Sequence, residues 1–261
     1  MIDLDIATTS GGAAVAHVTL NAPDKLNALD ERAVRELGDA YAEAERAEVR
    51  ALVLSGQGRA FCAGRDISHV DPRDDDVRGY LDGLVTPVLQ RMSAFPAPTF
   101  AAAQGACLGV GLGLLIATDV VYVADSAKIG SPFAALGATL DSGGHALFVE
   151  RLGAHRTLDL VYSGRLMTGA EAVAAGLFSQ SMPADDLRET TLAAAARAAD
   201  GATQAFLASK RLVAAIRDER LGLWASMSQE NAAQAALCDT EDYREGFAAF
   251  QQKRPPQFHG R

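Results

Sequence analysis

Several residue classes are scarce in this chain, and each scarcity excludes a class of function. There are three cysteines, Cys62, Cys107 and Cys238. An odd, widely spaced set builds neither a disulfide framework nor a zinc site, so each reads as a small buried hydrophobe in a reducing compartment. His17, His69, His155 and His259 fall at no metal-ligand spacing, and no metal is expected. Basic residues are outnumbered, 24 against 33 acidic, for a net charge of −9. A general nucleic-acid or membrane-surface binder needs a basic face, and that surplus is missing. The apolar stretch "GVGLGLLIATDVVYVA" is broken by glycine and by Asp119. It falls short of the roughly 18 uninterrupted apolar residues of a membrane helix. The amino terminus, "MIDLDIATTSGG", carries acids where a signal peptide needs positive charge. The expectation is a cytoplasmic protein.

What is present is small and apolar. At 49% hydrophobic, 261 residues suffice for one large domain, or one with a small appendage. Segments 13–20 (AAVAHVTL), 50–56 (RALVLSG), 97–105 (APTFAAAQG), 119–125 (DVVYVAD) and 127–132 (AKIGSP) read as strands. Segment 31–47 repeats apolar residues at helical spacing, with Asp30 placed to cap it. The acidic run 71–79 (DPRDDDVRG) reads as a solvated loop ahead of a helix near 77–94. After about residue 142 the signals are almost all helical. Alternating strands and helices predict an α/β layer architecture. We assign residues 1–198 to the α/β core and 199–261 to a C-terminal helical subdomain.

Two segments place glycine where a backbone must approach a ligand: "FCAGRD" and "QGACLGVGLG". Glycine permits unusual dihedrals, and a turn feeding a helix presents free N–H groups. Two such turns can aim two N–H groups at one oxygen and form an oxyanion hole. A dinucleotide fingerprint fails, because "GACLGVGLG" does not give G-x-G-x-x-G in register. Asp141 is the single acid in "SPFAALGATLDSGGHALF" (131–148). It can cap the helix that follows. It can equally be a catalytic carboxylate.

Five blocks resemble the crotonase, or enoyl-CoA hydratase/isomerase, superfamily: "LNAPDKLNALD", "GQGRAFCAGRDI", "QGACLGVGLGLLIATDVVYVAD", "SGRLMTGAEAVAAGL" and "EGFAAFQQKRPPQF". The resemblance implies a crotonase-like spiral of strand-strand-helix turns and a C-terminal helical subdomain used for trimerisation and the acyl pocket. It implies homotrimers that often pair, an acyl-CoA thioester substrate and no cofactor beyond the coenzyme A of that substrate. The thioester carbonyl would sit between the N–H groups of Arg65 and Val110, the latter where the family usually has glycine; Gly64 and Gly109 precede them. Ala63, Asp66 and Ile67 would meet the adenine, Lys25 and Leu26 the pantetheine and phosphates, and Lys253 a phosphate of its own or a neighbouring subunit.

Both hydratase acids are missing from this pattern. Gly113 stands at one position and Phe133 at the other. Water addition needs groups to activate water and to protonate carbon, and neither residue can. Asp141 matches the position where some enoyl-CoA isomerases, 1,2-epoxyphenylacetyl-CoA isomerase and 4-chlorobenzoyl-CoA dehalogenase carry their acid. The expected activity is an enoyl-CoA isomerase with Asp141 as acid and base. Burial beside Phe133, Leu136 and Leu140 should raise its pKa. His145, four residues on, would point the same way or simply lie on the surface. The alternatives are a hydratase, an Asp-nucleophile dehalogenase or thioesterase, and a silent acyl-CoA binder.

Overall fold

The computed structural model describes residues 1–261. The chain opens with a strand, β1 (Ile2–Thr8), ahead of the segment where the sequence suggests the first one. Ile2, Leu4 and Ile6 alternate with Asp3 and Asp5, the period-two pattern of a strand with one wet face. It lies at the sheet edge, antiparallel to β2 (Ala14–Leu20). Asp30 then caps α1 (Glu31–Arg46), accepting the Ala33 N–H at 2.8 Å. Such a cap contributes about 1 kcal/mol. Ala33, Val34, Leu37, Ala40, Tyr41 and Ala44 form the buried stripe of this helix.

β3 (Ala51–Gly56) follows, then α2 (Val77–Tyr80), a wider turn over Leu81–Val85, and α3 (Thr86–Ser93). Next come β4 (Thr99–Ala103), β5 (Ala106–Leu108) and α4 (Val110–Ile116), and then β6 (Val120–Ala124) and β7 (Lys128–Gly130). α5 (Gly144–Leu152), α6 (Ala154–Ser163), β8 (Met167–Thr168), α7 (Gly169–Ala174) and β9 (Gln180–Met182) complete the strands. The helices α8 (Ala184–Ala199), α9 (Thr203–Asp218), α10 (Leu223–Leu237) and α11 (Glu241–Gln251) end the chain.

The larger sheet has the order β1-β2-β3-β4-β6-β9, parallel from β2 onward, and β5-β7-β8 form a smaller one. From β4 to β7 the chain alternates between them, β4 and β6 entering the large sheet and β5 and β7 the small one. Both faces of the large sheet are covered, which explains its uninterrupted apolar strands. Leu52 and Leu54 of β3 join the main core, while Ala51 and Val53 pack against Ala194, Ala195 and Ala199 of α8. Lys210 ties α9 to this body through Asp119 (2.9 Å) and the Phe95 carbonyl (3.0 Å). No helix is long and apolar enough to cross a membrane.

Candidate active site

The two glycine-rich turns lie side by side. The Cys62 N–H donates to the Ala106 carbonyl at 2.9 Å, and the Leu108 N–H to the Cys62 carbonyl at 3.0 Å. The loop 60–66 therefore extends the smaller sheet by one rung, Cys62 opposite Cys107. Glycine lets the backbones close. A Cβ on Gly64, at φ 101°, would meet the Leu108 oxygen at 3.0 Å, and one on Gly111 would overlap the Cys62 carbonyl. Gly109 turns the chain at φ 53° into α4. Val110 is the first residue of that helix, so its N–H has no intrahelical acceptor. The Arg65 N–H also finds no backbone acceptor, although the Asp66 N–H beside it donates to Leu29 at 2.9 Å. Burial pushes the Cys62 thiol up to about 12 and raises Cys107 as well, so neither supplies a thiolate, whereas Cys238, expected to be buried too, is exposed at the end of α10.

Asp141 does not cap a helix, which corrects one of the two readings open for it. α5 begins at Gly144, with Gly143 at its cap and no side chain accepting there. The Gly144 N–H goes instead to the main-chain oxygen of Asp141 at 2.9 Å. The carboxyl Oδ1 is buried and has no hydrogen-bond partner. Burial raises this carboxyl above the usual aspartate range, with the Ser142 hydroxyl and the Arg65 guanidinium as smaller opposing influences. Leu140 is buried and Phe133 half-buried, but Leu136 is 62% exposed and does not contribute the desolvation expected of it. A Cβ on Gly113 would overlap the Ser142 Cβ, so Ser142 fills the space a longer residue at 113 would enter. The Phe133 ring lies against Gly109, 2.8 Å from where a Cβ there would stand.

The acidic run is not wholly a solvated loop. Asp75 forms a two-pronged ion pair with Arg65, at 2.7 and 2.8 Å, and its side chain is 15% exposed. The Arg65 guanidinium also lies 4.2 Å from the centroid of the Tyr80 ring, whose hydroxyl donates to the Leu29 carbonyl at 3.3 Å. Asp76 caps α2. Neither the Asp75 contact nor the Tyr80 contact has a signature in the sequence, because both depend on how the 71–80 segment folds back. His145 is exposed and approaches Thr139 at 3.5 Å, not Asp141. Asp141 lies outside α5, so the four-residue interval is not one helical turn.

The residues assigned to coenzyme A fall partly together. Lys25 pairs with Asp66 at 2.8 Å, and the Ala63 N–H donates to the Leu26 carbonyl at 3.0 Å. The Lys25 ammonium and Ser68 hold the Asp66 carboxyl well below its usual range. Ile67 is 51% exposed beside them. Lys253 lies past the end of α11, exposed, with no side-chain partner. Two cavities, of about 390 and 450 Å³, lie among the C-terminal segments and include none of these residues.

Known proteins resemble the chain along nearly its whole length. The family model described as enoyl-CoA hydratase/isomerase matches residues 10–261. A protein of Rhodobacter capsulatus named a probable enoyl-CoA hydratase is 35% identical over 247 residues, covering 95% of both chains. The 1,2-epoxyphenylacetyl-CoA isomerase of Escherichia coli is 30% identical over 252 residues, again covering 95% of both. The crystal structure of an enoyl-CoA hydratase from Bacillus anthracis superimposes with a TM-score of 0.89 at 27% identity, covering 100% of this chain and 99% of that one. The chain, with its two-sheet spiral and paired glycine turns, belongs to the enoyl-CoA hydratase/isomerase family of the crotonase superfamily.

Proposed function

We propose that this chain is an acyl-CoA isomerase that moves a double bond by a 1,3-proton shift. One observation carries the reading: the Asp141 carboxyl has a buried Oδ1 without a hydrogen-bond partner, in a chain with Gly113 and Phe133 where the family resemblance puts the two hydratase acids. Ionised Asp141 takes a proton from C2 of a 3-enoyl thioester. The electron pair moves onto the thioester oxygen, giving a dienolate held by the N–H groups of Arg65 and Val110. The protonated carboxyl then delivers its proton to C4, so the C3–C4 double bond becomes C2–C3. Each oxyanion donor contributes on the order of a hundred-fold in rate. A raised carboxyl suits a group that must act first as base and then as acid.

In this reading Ala63, Gly64, Asp66 and Ile67 line the adenine end, Lys25 and Leu26 follow the phosphates and pantetheine, and Gly109 and Phe133 border the thioester. Lys253 serves a neighbouring subunit. The trimeric assembly is supported by Leu223 (69% exposed), Trp224 (76%) and Phe250 (84%), an apolar surface on the C-terminal helices that a lone chain leaves wet. Free cysteines fit a reducing cytoplasm.

The names of relatives favour hydration as the second reading. Purified protein and Asp141→Asn are assayed with 3-enoyl-CoA and with 2-enoyl-CoA. Conversion of the 3-enoyl ester, lost in the variant and without hydration of the 2-enoyl ester, is expected. Hydration that survives the substitution overturns the isomerase. Silence on both esters, with retained CoA binding, means a binder or a different reaction at Asp141.

A further inference from the structure

Ser142 has two features that the proton shift does not require. Its backbone sits at φ 51°, a left-handed conformation that is strained for a residue with a Cβ. Its Oγ is buried without a hydrogen-bond partner. A buried hydroxyl without a well-formed hydrogen bond costs stability. The adjacent Asp141 Oδ1 is orphaned in the same way, and these two lie next to each other in a chain with only one other buried side-chain polar atom lacking a partner, the Tyr41 hydroxyl. Ser142 is also held in place from behind. Its Cβ fills the space above Gly113, and the bare glycine is what admits it.

A hydroxyl donates one hydrogen bond and accepts others, while a carboxylate only accepts. Side by side, they complement a single oxygen that both accepts and donates. We infer that Ser142 determines specificity, and that with Asp141 it receives one hydroxyl-type oxygen borne by the acyl group close to the carbons that exchange the proton. The Ser142 hydroxyl donates to that oxygen, whose own hydrogen is accepted by Asp141. The favoured substrates are thus oxygenated acyl-CoA thioesters, not plain hydrocarbon ones. The inference rests on the proposed acyl-CoA function.

Equilibrium binding tests it without turnover. Butyryl-CoA, 3-hydroxybutyryl-CoA and 4-hydroxybutyryl-CoA are titrated into wild type, Ser142→Ala and Ser142→Gly. Glycine relieves the backbone strain, so that variant folds even if the alanine variant does not. Wild type is expected to bind at least one hydroxy ester about tenfold more tightly than butyryl-CoA, as one buried hydrogen bond allows. In both variants the ratio should fall to near one, with butyryl-CoA affinity unchanged. A wild type that does not discriminate overturns the inference, and so does a preference that survives in Ser142→Gly. Failure of all three esters to bind overturns the acyl-CoA reading itself.

Discussion

The paired turns at 60–66 and 104–111, the second running into Gly113 of α4, and the segment 139–145, which meets that glycine through Ser142, are built differently. In the turns, backbone bonds of 2.9 and 3.0 Å between Cys62 and its neighbours across the rung fix the geometry, and glycines let the two main chains touch. The Arg65 and Val110 N–H groups are left without a backbone acceptor. In the second region no ladder holds the chain, a serine takes a left-handed turn, and Asp141 Oδ1 and Ser142 Oγ are buried without partners. The first region is pre-organised backbone. The second is side-chain chemistry left unsatisfied by the fold. The contrast suits a division of labour in which rigid dipoles hold developing charge and a destabilised carboxyl moves the proton.

The sharpest way to break this comparison is Asp141→Asn. Activity should fall by about a thousand-fold, within the range of a lost general acid–base. Stability should not fall with it. A carboxyl raised by burial favours folding while protonated, and that contribution is lost as pH rises through the raised value. At neutral pH the asparagine variant should therefore be at least as stable as wild type, which denaturant titration checks. A loss of stability would mean that Asp141 is structural.

The turns should behave in the opposite way. Gly109→Ala places a methyl against Phe133 at a positive φ. It should cost kcat about a hundred-fold through the displaced Val110 donor, and it should lower the denaturation midpoint too. Where the two regions touch, Gly113→Ala adds no acid or base but collides with Ser142. The expected cost is about 1–3 kcal/mol of stability, the usual range for overpacking, read by chemical denaturation. The smallest effect is electrostatic. Asp75 neutralises Arg65, whose cation favours the charged form of Asp141. Asp75→Asn leaves that cation unopposed, so the acidic limb of the kcat profile should move to lower pH. A limb that stays in place would mean that Arg65 does not act on Asp141.

Much of this was readable along the chain because it depends on local order. Asp30 caps α1 as its position before a helical stripe suggests, and the buried strand 51–56 follows from an apolar run. The glycine spacing of "CAGRD" and "CLGVG" marked two turns made for close backbone approach. Period-two alternation at 2–8 was present as well, although the acids at 3 and 5 disguised an edge strand. Asp141 was visible as an isolated acid, but whether it capped a helix depended on where α5 begins, and three glycine and serine positions leave that open to tertiary packing.

By itself the sequence determined the α/β layer architecture, since hydrophobic period and turn residues act over a few positions, and its five blocks carried the family resemblance and the lone acid. Tertiary structure alone decided what that acid faces. The Arg65–Asp75 pair, the ring of Tyr80 beneath it and the meeting of Ser142 with Gly113 join residues 10 to 29 positions apart. Burial and hydrogen-bond satisfaction are properties of those encounters, and they set the charge preference of Asp141.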